Sequence, residues 1–213
     1  MKQSDCLKSA KSIFWDFDGV IKDSVEVKSE AFERLFSPFG NQTSRKIRAH
    51  HEANGGMSRF DKLPIYLGWA GQNLSKQNID KYEKKFSLLV KEKVINSDWV
   101  AGVYSFLKSN YKKQQFFLLT ATPQQEIEDI VSKINISDFF IEIIGSPVKK
   151  KDAIKRIMVN FSIAPEESLM IGDSDVDYEA AVVNKVPFVL RKTNLNKSLQ
   201  KKMNGLMIKN YKY

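Results

Sequence analysis

Two carboxylates stand one residue apart in Ile13-Phe14-Trp15-Asp16-Phe17-Asp18-Gly19, directly after an apolar run of β-favouring residues. Side chains alternate along an extended chain, so Asp16 and Asp18 would face one crevice if the backbone stays extended through Phe17. Two like charges that close call for a hard divalent cation, a shared proton or both. A carboxylate can also attack phosphorus while a second carboxyl group gives and then takes a proton. Gly19 would let the chain turn sharply beside a bound anion. Asp and Gly are also ordinary turn residues, so the short string alone equally describes a strand ending in a solvated acidic turn.

Three further stretches offer chemistry: Thr120 after Phe116-Phe117-Leu118-Leu119, the lysines Lys149, Lys150 and Lys151 after Gly145-Ser146-Pro147, and Gly172-Asp173-Ser174-Asp175-Val176-Asp177 after Ser168-Leu169-Met170-Ile171. Each apolar run reads as a buried strand, with a helical pattern between one run and the next. Strands are expected at Phe116–Leu119, Phe139–Ile144, Ser168–Ile171 and Val186–Leu190, alternating with helices over roughly 100 residues, the signature of a doubly wound parallel sheet. In such a sheet the carboxyl ends of distant strands converge on one crevice.

The segment between the first and second strands is mostly helical. Val25 to Phe36 and Lys76 to Val94 carry apolar residues at helical spacing, and Phe60 to Trp69 offers a shorter helix. Asn41 to Gly71 is otherwise polar and punctuated by glycine and proline. Asp98 is a candidate N-cap for the helix through Val103 and Leu107, and Thr122 for the helix that follows Pro123. The expected organisation is an α/β core of residues 1–23 and 101–213 with a helical cap of residues 24–100.

Composition narrows the function classes. Hydrophobic residues at 42% and charged residues at 28% describe an ordinary globular chain. No stretch approaches the roughly 18 uninterrupted apolar residues of a membrane span, and residues 1–12 hold no signal-peptide core. The single cysteine, Cys6, excludes an intramolecular disulfide, so cytoplasmic residence is expected. A formal charge of +9 favours anionic partners, but the lysines are dispersed and no nucleic-acid-binding motif accompanies them.

Taken in order, the four strand ends resemble the motifs of the haloacid dehalogenase superfamily, in particular phosphatase-like members with a small helical (C1-type) cap. The likeness runs from Ile13 to about Leu190. It implies that Asp16 is the nucleophile and Asp18 the general acid and base. It implies that Thr120 hydrogen-bonds the transferring phosphoryl group, and that one of the three lysines neutralises the site. Counting back from Ile154 and Ile157 as the buried face favours Lys150, then Lys149. It implies a Mg²⁺ ion held by Asp16, by the backbone carbonyl of Asp18 and by Asp173, with Asp177 in support, and substrate contacts from Gly19 and Ala121.

Gly55-Gly56-Met57-Ser58-Arg59 resembles the family's cap loop, whose arginine reaches a distal anionic group; the structural alternative for Arg59 is a surface side chain. His50 and His51 lack a third ligand at zinc spacing. The expectation is a magnesium-dependent phosphomonoester hydrolase acting through an aspartyl-phosphate on a small phosphorylated metabolite, a sugar phosphate or phosphoglycolate-like. It would work without nucleic-acid or membrane partners, as a monomer or a dimer. The alternatives are a β-phosphoglucomutase-like phosphomutase and a catalytically inactive binding protein on the same fold.

Overall fold

Strand β1 (Ser12–Trp15) is buried along its whole length and lies between β2 (Gln115–Pro123) and β4 (Ser168–Gly172), parallel to both. The computed structural model describes residues 7–203 and 205–212, so Cys6 lies outside the described residues. With β3 (Glu142–Ser146), β5 (Phe188–Arg191) and β6 (Leu206–Ile208), the strands form one parallel sheet in the order β3-β2-β1-β4-β5-β6. The chain moves outward from β1 through β2 to β3, then returns to β4 on the other side of β1. That reversal opens a crevice at the carboxyl ends of β1 and β4.

The alternation along the strands builds two apolar layers. Phe14, Phe117, Leu119 and Met170 pack on one face against Ala153, Ile154 and Ile157 of one helix and Ala180 and Ala181 of another. Ile13, Trp15, Phe116, Leu118, Leu169 and Ile171 face the opposite layer. Runs buried on both faces read as continuously apolar, which is why these strands are plain in the sequence.

Five helices separate β1 from β2, the first four being α1 (Val25–Phe36), α2 (Asn41–Ala53), α3 (Arg59–Trp69) and α4 (Lys76–Asn96). Helix α2 falls in the stretch expected to be polar and irregular. Its buried positions are Ser44, Ile47 and His51, so its inward face carries only one large aliphatic side chain and leaves a weak apolar signal. Two connections join the insert to the sheet side by side. The Asp23 amide donates to the Asp98 carbonyl at 2.8 Å, and the Val100 amide to the Ile21 carbonyl at 3.0 Å. Asp98 therefore does not cap the next helix, α5 (Val103–Asn110), as expected. Its N-cap is Gly102, at φ 83°, and Asp98 sits in the connection instead.

The remaining helices follow the strands: α6 (Gln124–Lys133) after β2, α7 (Lys150–Asn160) after β3, α8 (Asp175–Val183) after β4 and α9 (Lys197–Lys202) after β5. β3 begins at Glu142, because Ser137–Phe139 form a 3₁₀ turn before it. α9 and β6 lie beyond the expected elements; both are short, and neither spans enough residues to show a period.

Candidate active site

Asp16 follows the last residue of β1, and its amide is fixed by the Ile171 carbonyl of β4 at 2.9 Å. Lys150, the first residue of α7, reaches across the crevice and places its ammonium 2.6 Å from Asp16 Oδ1 and 2.5 Å from Asp177 Oδ1. Lys149 and Lys151 are exposed, and Lys149 pairs with Asp61 at 2.9 Å. Only one of the three consecutive lysines therefore faces the acids.

Asp177 is wholly buried and saturated with donors. Besides Lys150, it accepts the Ser174 hydroxyl at 2.6 Å and the Ser174 and Asp173 amides at 3.1 and 3.3 Å. Ser174 in turn caps α8, so the fourth-motif loop is locked in place by a capping box. Asp177 thus orients the lysine and holds the Asp173 backbone, while the Asp173 side chain stays directed at the crevice.

Gly19 makes that approach sterically feasible. It lies at φ 77°, and a Cβ there would come within 2.2 Å of Asp173 Oδ2. No L side chain fits between these two segments without displacing the carboxylate.

Asp18 takes a different set of partners. Its carboxylate accepts Ser24 Oγ at 2.6 Å, Thr122 Oγ1 at 3.2 Å and the ammonium of Lys28 from α1. Lys28 also donates to Thr122 Oγ1 at 2.9 Å. Thr122 therefore does not cap the helix after Pro123. α6 begins at Gln124 without a side-chain cap, and the Thr122 hydroxyl turns into the site. Thr120 is buried beside it, with Oγ1 accepting the Thr122 amide at 3.2 Å.

The titration behaviour separates the two acids of the first motif. Burial, then the Asp177 charge, push the Asp16 carboxyl up to about 7 against the opposing pull of Lys150. For Asp18, burial also acts upward, but the charge and hydrogen bond of Lys28, with Ser24 and Thr122, outweigh it and hold the carboxyl below its ordinary value. Burial and the Asp16 and Asp177 charges raise Asp173 well above the carboxylate range. Environment thus pushes apart two groups of identical chemistry.

The charges in the crevice do not balance. Asp16, Asp18, Asp173 and Asp177 are set against two lysines within reach, Lys28 and Lys150. One oxygen from each of Asp16, Asp173 and Asp177 lies within 4.8 Å of the others. With Asp177 already fully hydrogen-bonded, Asp16 and Asp173 are the under-compensated pair. A hard oxygen donor set with an excess of negative charge suits a divalent cation such as Mg²⁺.

The inserted helices close over this crevice and leave a cavity of about 390 Å³ bounded by Asp16, Asp18, Thr120, Ala121 and Asp173 below and by Phe32, His51, Arg59, Lys62 and Phe86 above. Arg59 is buried in a bidentate ion pair with Glu126 of α6, one arm at 2.7 Å, and its guanidinium lies 4.7 Å from the centre of the Phe86 ring. It lines the cavity wall while its hydrogen-bonding edge is taken up by the protein. Sequence reasoning missed Lys28, Lys62 and Asn196, whose side chain fixes the Asp173 carbonyl at 2.8 Å. Each resembles the polar side of a short helix or loop, and no local pattern distinguishes it.

The family model for haloacid dehalogenase-like hydrolases matches residues 13–190, which includes every motif described above. The chain belongs to this family. A phosphorylated carbohydrates phosphatase of Thermotoga maritima is 25% identical over 181 residues, covering 80% of each chain. A phosphoglycolate phosphatase of Vibrio vulnificus is 35% identical over 188 residues, covering 80% of this hydrolase and 78% of the relative. Among solved structures, a putative phosphoglycolate phosphatase from Lactobacillus plantarum superposes with a TM-score of 0.73 at 13% identity, over 95% of this chain and 96% of that one. At that identity the superposition speaks to the fold, which the hydrolase shares over 95% of its length.

Proposed function

We propose that this hydrolase is a Mg²⁺-dependent phosphomonoesterase that works through an aspartyl-phosphate on Asp16. The carrying observation is the split between its two leading acids: Asp16 clamped by Lys150 beside Asp173, and Asp18 held separately by Lys28, Ser24 and Thr122. Asp16 attacks phosphorus, the ester P–O bond breaks, and Asp18 delivers its proton to the leaving oxygen. Asp18 then takes a proton from water, whose oxygen attacks the same phosphorus and releases phosphate and free Asp16. Lys150 and the Thr120 hydroxyl face the phosphoryl oxygens throughout and stabilise charge where it gathers. When bound, Mg²⁺ would supply further positive charge to those oxygens and keep Asp16 ionised.

Asp16, Asp173 and the Asp18 backbone carbonyl are the proposed ligands, with Gly19 and Ala121 forming the backbone floor against the phosphoryl group. Residues 1–23 and 101–213 form the catalytic core in this reading, and residues 24–100 a cap that excludes water. The paired connections at Asp23–Asp98 and Ile21–Val100 support a hinge there. The named relatives support a small phosphorylated metabolite as substrate, a sugar phosphate or a phosphorylated small acid.

Release of inorganic phosphate from a panel of such esters and an aryl phosphate, with and without Mg²⁺, tests this reading. Turnover that requires Mg²⁺ and falls about 10³-fold or more in Asp16→Asn is expected. Undiminished turnover in that variant overturns the mechanism. Isomerised sugar phosphate without phosphate release would reassign the chain to a mutase.

A further inference from the structure

Lys62 is 1% exposed, yet it pairs with no carboxylate among the described residues. Its ammonium is 2.8 Å from His51 Nδ1 and 3.5 Å from the His51 carbonyl. The imidazole packs against the Phe32 ring at 4.9 Å between centres. A buried cation whose only partners are a ring nitrogen and one long carbonyl contact is costly, and the usual remedy, an ion pair, is missing. Burial, followed by the Lys28 charge, depresses the Lys62 ammonium to about 7, and burial and the Lys62 charge hold His51 well below the ordinary imidazole range.

Both residues line the same cavity as Asp16 and Asp18, on the side of the inserted helices. Arg59, the other cation on that wall, is already neutralised by Glu126, and Lys28 by Asp18. Among the described residues, Lys62 alone of these wall cations makes no ion pair, and the Asp18 charge acts on it without a direct contact.

We propose that Lys62, oriented by His51, receives a second anionic group of the substrate, a carboxylate or a second phosphate, while the first phosphate sits on Asp16. Lys62 and not Arg59 then sets specificity in this chain. The inference rests on the phosphoryl site proposed above and names the substrate class: small phosphate esters that carry another negative charge.

The experiment is calorimetric binding in the Asp16→Asn background with Mg²⁺, so that it reads recognition whether or not the ester is turned over. Phosphoglycolate and propanediol bisphosphate carry the second anion, and ethyl phosphate lacks it. Without a further change, the anionic pair should bind at least about tenfold more tightly than ethyl phosphate, the worth of one desolvated charge-assisted contact. The stronger of the two identifies carboxylate or phosphate as the group received. Adding Lys62→Met should abolish the preference and leave ethyl phosphate binding within about twofold, while raising the melting temperature because an uncompensated buried charge is gone. Equal binding of all three ligands before Lys62 is touched overturns the proposal, as does a preference that survives Lys62→Met. Loss of stability with unchanged preference would assign Lys62 a structural role. Turnover by Asp16→Asn would fail the phosphatase mechanism separately.

Discussion

Asp18 must hold a proton in one half of the proposed cycle and release it in the other, and Lys28 biases it toward the ionised form. A positive charge beside a carboxylate lowers its pKa by about 1–3 units. Replacing Lys28 with methionine removes that charge and leaves the Ser24 and Thr122 hydrogen bonds, so the Asp18 pKa rises. The limb of the kcat/KM profile that reports protonated Asp18 should then move to higher pH by about one unit. An unmoved limb would show that another group supplies the proton. Asp16 and Asp173 behave in the opposite sense, raised because burial and mutual repulsion lack full compensation. In the metal-free protein they keep protons that the unfolded chain has lost above about pH 4. The folded state then binds more protons than the unfolded one, and stability declines as pH rises from about 4 toward 7. Mg²⁺ must displace the Asp16 proton at pH 5, whereas at pH 8, above its value of about 7, Asp16 is already ionised. The rise in melting temperature on adding Mg²⁺ should accordingly be larger at pH 8 and disappear in Asp173→Asn. A shift of equal size at both pH values would place the ion elsewhere.

Between elements, α3 and α4 face α6 across a line of ion pairs and hydrogen bonds that joins the inserted helices to the sheet side. Arg59 and Ser87 meet Glu126, Lys91 meets Asp129 at 2.5 Å, and Glu92 meets Lys133 at 2.7 Å. Lys91 to Asp129 and Glu92 to Lys133 lie at the surface, where water and salt screen such pairs and they add little to stability. Arg59 and Glu126 are buried together, 5% and 6% exposed, and there the consequence of breaking the pair is much larger. Arg59→Met should destabilise the protein by about 3–5 kcal/mol because Glu126 is left as an uncompensated buried charge. Combining it with Glu126→Gln should recover most of that loss, which chemical denaturation of the two single variants and the double variant would measure. Additive losses would mean that the two side chains do not act as a pair. The Gly55-Gly56 turn adds a second seam, since a Cβ on Gly56 would come within 2.5 Å of the Ser174 hydroxyl at the start of α8.

At the scale of the whole molecule, a parallel sheet gathers acids that are up to 161 residues apart into one crevice, as Asp16 and Asp177 show. Inserted helices roof it, and no helix among the described residues is long and apolar enough to cross a membrane. Much of this is legible in the chain itself. Strands buried on both faces must be continuously apolar, and side chains held at strand ends must follow such runs, so β1, β2 and β4, with the acids behind β1 and β4, stand out locally. Helix α2 and the short α9 and β6 do not, because a half-polar inward face or three to six residues carry no readable period. Sequence by itself determined the α/β class, the order of the motifs and the pair Asp16 and Asp18. Tertiary structure alone decided which of three consecutive lysines faces Asp16, that Thr122 serves Asp18 and not a helix end, that Arg59 is taken by Glu126, and that Lys62 makes no ion pair among the described residues. The physical reason is that period and strand ends are properties of neighbouring residues, whereas the partner of a charge is set by whichever distant element the fold brings within about 3 Å of it.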